Sequence, residues 1–184
     1  RLHCRKCGKH VRKDAPQEIW HDVRRHALAT GAGHSSQEIL ITFDLAVSPK
    51  LGIEESLKLL SRQGYQRLLI GGVVTRVEDS LPKLSRAAFL AVVQDRLRAE
   101  DESRPRFIEA CEQAYHFGKG RLTVHLNRQG AENDDVLRFS SHLHCAGCDL
   151  EYREPSTSLF SFNNPVGACP ACKGFGRIIT IDYN

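Results

Sequence analysis

Apolar and polar positions recur along this chain with two different periods, and the switches between them predict its elements. Ile19, Trp20, Val23 and Leu28 recur at helical spacing behind Pro16 and Gln17, which predicts a helix from Pro16 to about Leu28. Glu38 to Val47 is a run of apolar and β-branched residues ended by Pro49, as a strand would be. Ile53, Leu57, Leu59 and Leu60 return to helical spacing over Ile53–Arg62, with Gly64 as a stop. Tyr65–Ile70 and Val73–Val77 read as two strands joined by Gly71-Gly72. Ala87–Arg98 fits either period, but Phe89, Ala91, Val93 and Asp95 alternate against Leu90, Val92 and Gln94, and a strand is expected. Arg104–Phe117 is a helix with Pro105 in its first turn, where a missing N–H costs nothing, and Gly118 ends it. Arg121–Leu126 and Val136–Phe139 complete the strands. Gly31–Ser36 reads as a turn and Asn127–Asp135 as a polar loop.

This order predicts an α/β (α+β) sandwich with a mixed, mainly antiparallel sheet. Periodicity fades after residue 139, while cysteine, glycine and proline become frequent. Three parts are expected: a Cys-x-x-Cys entry knuckle over 1–15, an α/β domain over 16–139, and a small zinc-ribbon-like module over 140–184.

Composition narrows the function. The chain has 184 residues, 41% of them hydrophobic, enough for one compact domain and a satellite. Its formal charge of +4 is only mildly basic, and one filled four-thiolate zinc site would lower it to about +2. That is too little, and too scattered, for a dedicated nucleic-acid binder. No apolar run approaches the ~20 residues of a membrane span, and no signal-peptide pattern opens the sequence. The absence of methionine leads to the expectation of a segment cut from a longer protein.

Six of the seven cysteines form Cys-x-x-Cys pairs: Cys4/Cys7, Cys145/Cys148 and Cys169/Cys172. Each such turn aims two sulfurs at one point, and two turns make a closed tetrahedral shell. The twenty residues between Cys148 and Cys169 suit that arrangement, so structural Zn2+ is expected on Cys145, Cys148, Cys169 and Cys172. Gly174 and Gly176 follow the last pair where a redox motif would need a helix. Cys4 and Cys7 are candidate ligands of a second site, with His3, His10, His142 and His144 as candidate completing ligands. Paired thiols of this spacing in an unexported chain imply a reducing, cytoplasmic setting. Cys111 sits among helical apolar positions and reads as core.

The run Leu159-Phe160-Ser161-Phe162-Asn163-Asn164-Pro165-Val166-Gly167-Ala168-Cys169-Pro170-Ala171-Cys172-Lys173-Gly174-Phe175-Gly176 resembles the segment that closes the first four-cysteine module of the UvrA family. Phe139-Ser140 ahead of Cys145, Gln63-Gly64-Tyr65-Gln66-Arg67, Val92-Val93-Gln94-Asp95-Arg96-Leu97 and Cys4-x-x-Cys7-Gly8 are similar to further stretches of that family. The chain departs from the pattern at Gln94 and Gly71, where the family usually has Val and Asp. The resemblance implies the UvrB-binding part of a damage-recognition ATPase of nucleotide excision repair, anchored by its zinc module. It implies a homodimeric parent that binds ATP and DNA through parts outside this segment, and UvrB as partner. Carried over by position, Arg67 and Arg96 are the expected partner-binding residues.

No G-x-x-x-x-G-K-[ST] occurs, so no phosphate-cradling loop and no ATP hydrolysis are expected of this segment. No catalytic residues stand out. The alternative is a DNA-contacting zinc ribbon of a UvrA-like paralogue, resting on Arg5-Lys6, Lys9 and Arg12-Lys13. A DnaJ-type cysteine-rich module would need four Cys-x-x-Cys-x-Gly-x-Gly units, and one is present.

Overall fold

The structure, a computed structural model, describes residues 1–29, 37–84, 87–127 and 135–177. The expected turn at 31–36 and the loop at 127–135, apart from its two ends, lie outside the described residues. The chain divides into two compact units, Arg1–Glu151 and Tyr152–Asn184. The first unit therefore takes in the entry knuckle at 1–15 and the segment 140–151, both of which were expected to stand apart from the α/β domain.

In the first unit the elements run α1 (Pro16–Ala29), β1 (Glu38–Ala46), α2 (Gly52–Arg62), β2 (Arg67–Ile70), β3 (Val73–Arg76), β4 (Phe89–Arg98), α3 (Arg104–Phe117), β5 (Arg121–Asn127), β6 (Asp135–Ser140), β7 (His144–Cys145) and β8 (Leu150–Glu151). The order β3-β2-β4-β1-β5-β6 makes one six-stranded sheet, and β7-β8 a separate hairpin. Every pairing is antiparallel. The expected fold class holds, and Ala87–Arg98 resolves to strand.

Helices pack on one face of the sheet. Phe107, Ala110, Cys111 and Ala114 of α3 are buried at spacings of three and four, which stacks them on one side of the helix. They meet Ile39, Ile41 and Phe43 of β1, and Leu122, Val124 and Leu126 of β5, in one core. Trp20 of α1 packs on Phe107 with ring centroids 5.0 Å apart. Leu28, expected inward, is 61% exposed. At ~100° per residue it lies about 180° around the helix from Ile19, so Ala27 takes the inward place beside Ile19 and Val23.

A β-bulge interrupts β4. Ile41 pairs with Asp95 and Thr42 with Val93, leaving Gln94 as the extra residue. Before it, Leu90 and Val92 face the core; after it, Leu97 does. The inserted residue shifts the two-residue period by one, which explains why this stretch reads ambiguously. Among the described residues, no helix is long and apolar enough to cross a membrane.

In the second unit, a 3-10 turn spans Thr157–Phe160 and tight turns follow it. None of its described residues is buried. Gly167 and Gly174 are held against carbonyls, so that a Cβ would come within 2.5 Å of Ser158 O and 2.3 Å of Phe162 O. Glycine is required at both by close backbone approach.

Candidate metal centre and docking groove

The chain start is tied to the end of the sheet. His3 and His10 form a β-bridge, Cys4 N–H donates to Lys9 O at 2.8 Å, and Gly8, at φ +70°, lets the knuckle close. Val11 is buried, and Asp14 binds the end of the sheet through both its backbone and its side chain. Its N–H donates to Ser140 O at 2.7 Å, and its Oδ2 accepts from Ser140 N–H at 3.1 Å. Tyr115 of α3 donates to Asp14 O at 2.9 Å. Burial pushes the Asp14 carboxyl above its ordinary range, against the opposing pull of Ser140 and Arg12. β6 then leads through residues 141–143 to β7, whose last residue is Cys145.

This geometry gathers Cys4, Cys7, Cys145 and Cys148, whose Sγ atoms all lie within 4.8 Å of one another. Cys7 Sγ and Cys145 Sγ are 3.6 Å apart. A tetrahedral four-sulfur zinc shell with ~2.3 Å bonds places its sulfurs about 3.8 Å apart, so the group fits that ion. The donor set is four soft thiols and nothing else, which also favours zinc over harder cations. Cys4 and Cys145 are buried while Cys7 is exposed. Desolvation holds the Cys145 thiol above its ordinary value, and the adjoining Cys7 thiol pushes Cys148 up to about 12. Four neighbouring thiols cannot all ionise without a cation among them.

The quartet differs from the expected one. Cys145 and Cys148 meet Cys4 and Cys7, while Cys169 and Cys172 belong to the second unit and are not in the group. Proximity along the chain favoured the later pair; the hydrogen bonds between Asp14 and Ser140 favour the earlier one. The candidate histidines do not complete the shell. His3 packs edge-on to His10, and His144 Nε2 lies 2.8 Å from Asp149 Oδ1. Arg121 of β5 holds the β7-β8 hairpin through Asp149 at 2.8 Å and Glu151 at 2.7 Å, a contact that sequence spacing did not reveal. His144 and Arg121 together hold the Asp149 carboxyl below its ordinary value. Cys111 is fully buried in α3, and burial raises its thiol far out of the reactive range. In the second unit the Cys169 thiol is lowered instead, by the backbone amides of Cys172 and Ala171.

The two singled-out arginines line one groove of about 530 Å³ with Tyr65, Gln66, Gln94 and Gln113. It opens where β2 begins, beside the bulge in β4. Gln94 links two of its lining residues: its Oε1 accepts from Tyr65 O–H at 3.1 Å, and its Nε2 donates to Gln113 Oε1 at 2.7 Å. Arg96 is tied to Glu38 of β1 through Nη2 at 2.7 Å and through Nε. Arg106 makes a two-point contact with Asp95 at 2.6 and 2.7 Å. The same Asp95 accepts the Arg96 backbone N–H at 2.8 Å, which occupies a donor of the strand edge. Arg67 is exposed.

Comparison with known proteins identifies the family of the chain. The family model described as UvrA interaction domain matches residues 18–128. The chain is 29% identical over 181 residues to UvrABC system protein A of Aquifex aeolicus, covering 98% of this chain and 18% of that protein. It is 32% identical over 177 residues to the Thermus thermophilus protein of the same name, covering 94% and 17%. It is 34% identical over 133 residues to the Staphylococcus aureus protein, covering 71% and 13%. The chain thus spans less than a fifth of the length of these relatives. With its matched region running from α1 to the end of β5, the chain belongs to the UvrA interaction domain family.

Proposed function

We propose that this chain is the partner-docking part of a UvrA protein of nucleotide excision repair, and that it binds UvrB through the groove bearing Arg67 and Arg96. One observation carries the reading: two arginines from separate stretches of sequence line the same groove. Arginine suits this role because its fork pairs with carboxylates in two-point fashion and is enriched where binding energy concentrates. Zinc on Cys4, Cys7, Cys145 and Cys148 would tie the entry strand to the end of the sheet, a structural role that leaves no open coordination position. ATP turnover, DNA binding and dimerisation then belong to the rest of a cytoplasmic parent protein.

The test is capture of UvrB from the same organism by this chain and by Arg67→Glu/Arg96→Glu. Loss of capture with zinc content and folding intact supports the reading. Undiminished capture by the double variant refutes the groove as the docking site.

A further inference from the structure

Arg67 and Arg76 stand directly opposite each other in the β2-β3 hairpin. Gly71 and Gly72 both have positive φ, +58° and +81°, and form a two-residue turn between Ile70 and Val73. The pair flanking such a turn is hydrogen-bonded, and the pairs alternate from there. Arg67↔Arg76 is therefore a non-hydrogen-bonded pair, the kind whose Cα atoms approach to about 4.5 Å and whose side chains crowd. The next pair outward is hydrogen-bonded again, with Val77 N–H donating to Gln66 O at 3.0 Å. Leu68 and Thr75, between the arginines and the turn, are buried toward the core. Both arginines thus project from the sheet face opposite the helices, and both are exposed.

Among the described residues this is the one cross-strand pair of like charge. Like charges directly opposite destabilise a sheet. Other arginines nearby are neutralised within the chain: Arg96 by Glu38, Arg106 by Asp95. The guanidinium groups of Arg67 and Arg76 have no hydrogen-bond or ion-pair partner among the described residues.

We propose that Arg67 and Arg76 form a two-guanidinium clamp for one carboxylate of a docked protein partner, which makes Arg76 a binding residue outside the groove itself. The inference rests on the docking reading above. A carboxylate can accept from both forks at once, and it cancels the repulsion that the free hairpin carries. The surroundings fit a protein surface and not a nucleic-acid backbone. Of the arginines at and beside the groove, Arg96 and Arg106 are already paired with carboxylates, whereas Arg67 and Arg76 are not. The adjoining cross-strand pair on the same face, Leu69↔Val74, is apolar, with Val74 37% exposed.

The experiment measures affinity for UvrB and, without partner, the melting temperature of the chain, for the unmodified protein, Arg67→Ala, Arg76→Ala and the double variant. The clamp predicts that Arg76→Ala weakens binding about tenfold. It predicts that the double variant loses less than the product of the two single losses, because the arginines share one ligand. Either single change raises the melting temperature of the free chain by ~1–3 °C through relief of repulsion. Full affinity in Arg76→Ala with a loss in Arg67→Ala overturns the clamp and leaves the docking reading standing. No UvrB binding by the well-folded unmodified chain overturns both. Duplex DNA binding that Arg76→Ala abolishes, with UvrB binding unchanged, overturns the carboxylate and assigns the pair to phosphate.

Discussion

The Cys-x-x-Cys turn occurs in both units, and its thiols behave oppositely in the two. At Cys145 and Cys148 the turn is pressed against a second turn and partly buried, and both thiols are held above their ordinary value. At Cys169 the same turn is exposed, its backbone amides point at the sulfur, and the thiol is lowered. The motif alone therefore does not set thiol chemistry; the packing around it does. The rest of the two units differs in the same sense. Arg1–Glu151 is organised by a core around Phe43 and Phe107, whereas Phe160, Phe162 and Phe175 are 83%, 66% and 79% exposed.

The sharpest way to break this comparison is to remove each pair of ligands in turn. Cys4→Ser/Cys7→Ser should abolish the zinc bound by Arg1–Glu151, since two thiols make no closed shell. Cys169→Ser/Cys172→Ser should leave that zinc in place, as read by metal analysis after dialysis. Zinc lost in the second variant and kept in the first would restore the pairing expected from spacing.

Core substitutions come next in size. Phe107→Ala should lower stability by about 3–5 kcal/mol in urea melts, because it removes a fully buried ring. Phe160→Ala, at an exposed position, should stay within about 0.5 kcal/mol in the same melts. A large loss at Phe160 would show that the second unit has a core of its own that its exposure does not reveal.

A smaller contrast is kinetic. Cys169 should react with iodoacetamide at neutral pH at least ~10-fold faster than Cys111, because the thiolate is the nucleophile and burial suppresses it. Peptide mapping after timed labelling gives both rates at once.

The smallest effect is the pH dependence of the metal-free chain. Cys145 and Cys148 keep their protons in the fold above the ordinary thiol value of 9.0. The folded state then binds more protons than the unfolded one, so stability falls as pH rises from about 9 toward about 12. Zinc replaces those protons and should remove this fall. Melts of loaded and metal-free chain under reductant, compared between pH 8 and 10, isolate the effect from that of Tyr115, which burial raises in both forms.

Much of the fold was legible because its elements have simple periods. α3 runs over Arg104–Phe117 as its pattern predicts, with proline at its start and glycine after its end. The β2-β3 turn was legible in Gly71-Gly72, since paired positive φ favours glycine. The bulge at Gln94 was not, because an inserted residue leaves no mark in local composition. The inward place of Ala27 over Leu28 was missed because a larger apolar residue drew the reading onto the wrong side of α1.

The sequence by itself determined which residue types could carry chemistry: three thiol pairs at ligand spacing, two arginines on the stretches that resemble a known family, and no phosphate loop. Only the tertiary structure decided which of them meet. Cys7 and Cys145 are 138 positions apart and come within 3.6 Å because Asp14, just after the knuckle, is hydrogen-bonded to Ser140 at the end of β6. Arg67 opposes Arg76 because a two-residue turn sets their register. Local propensity acts over a few residues, whereas ligand shells and charge pairs are closed by strand register and burial, which link residues the sequence keeps far apart.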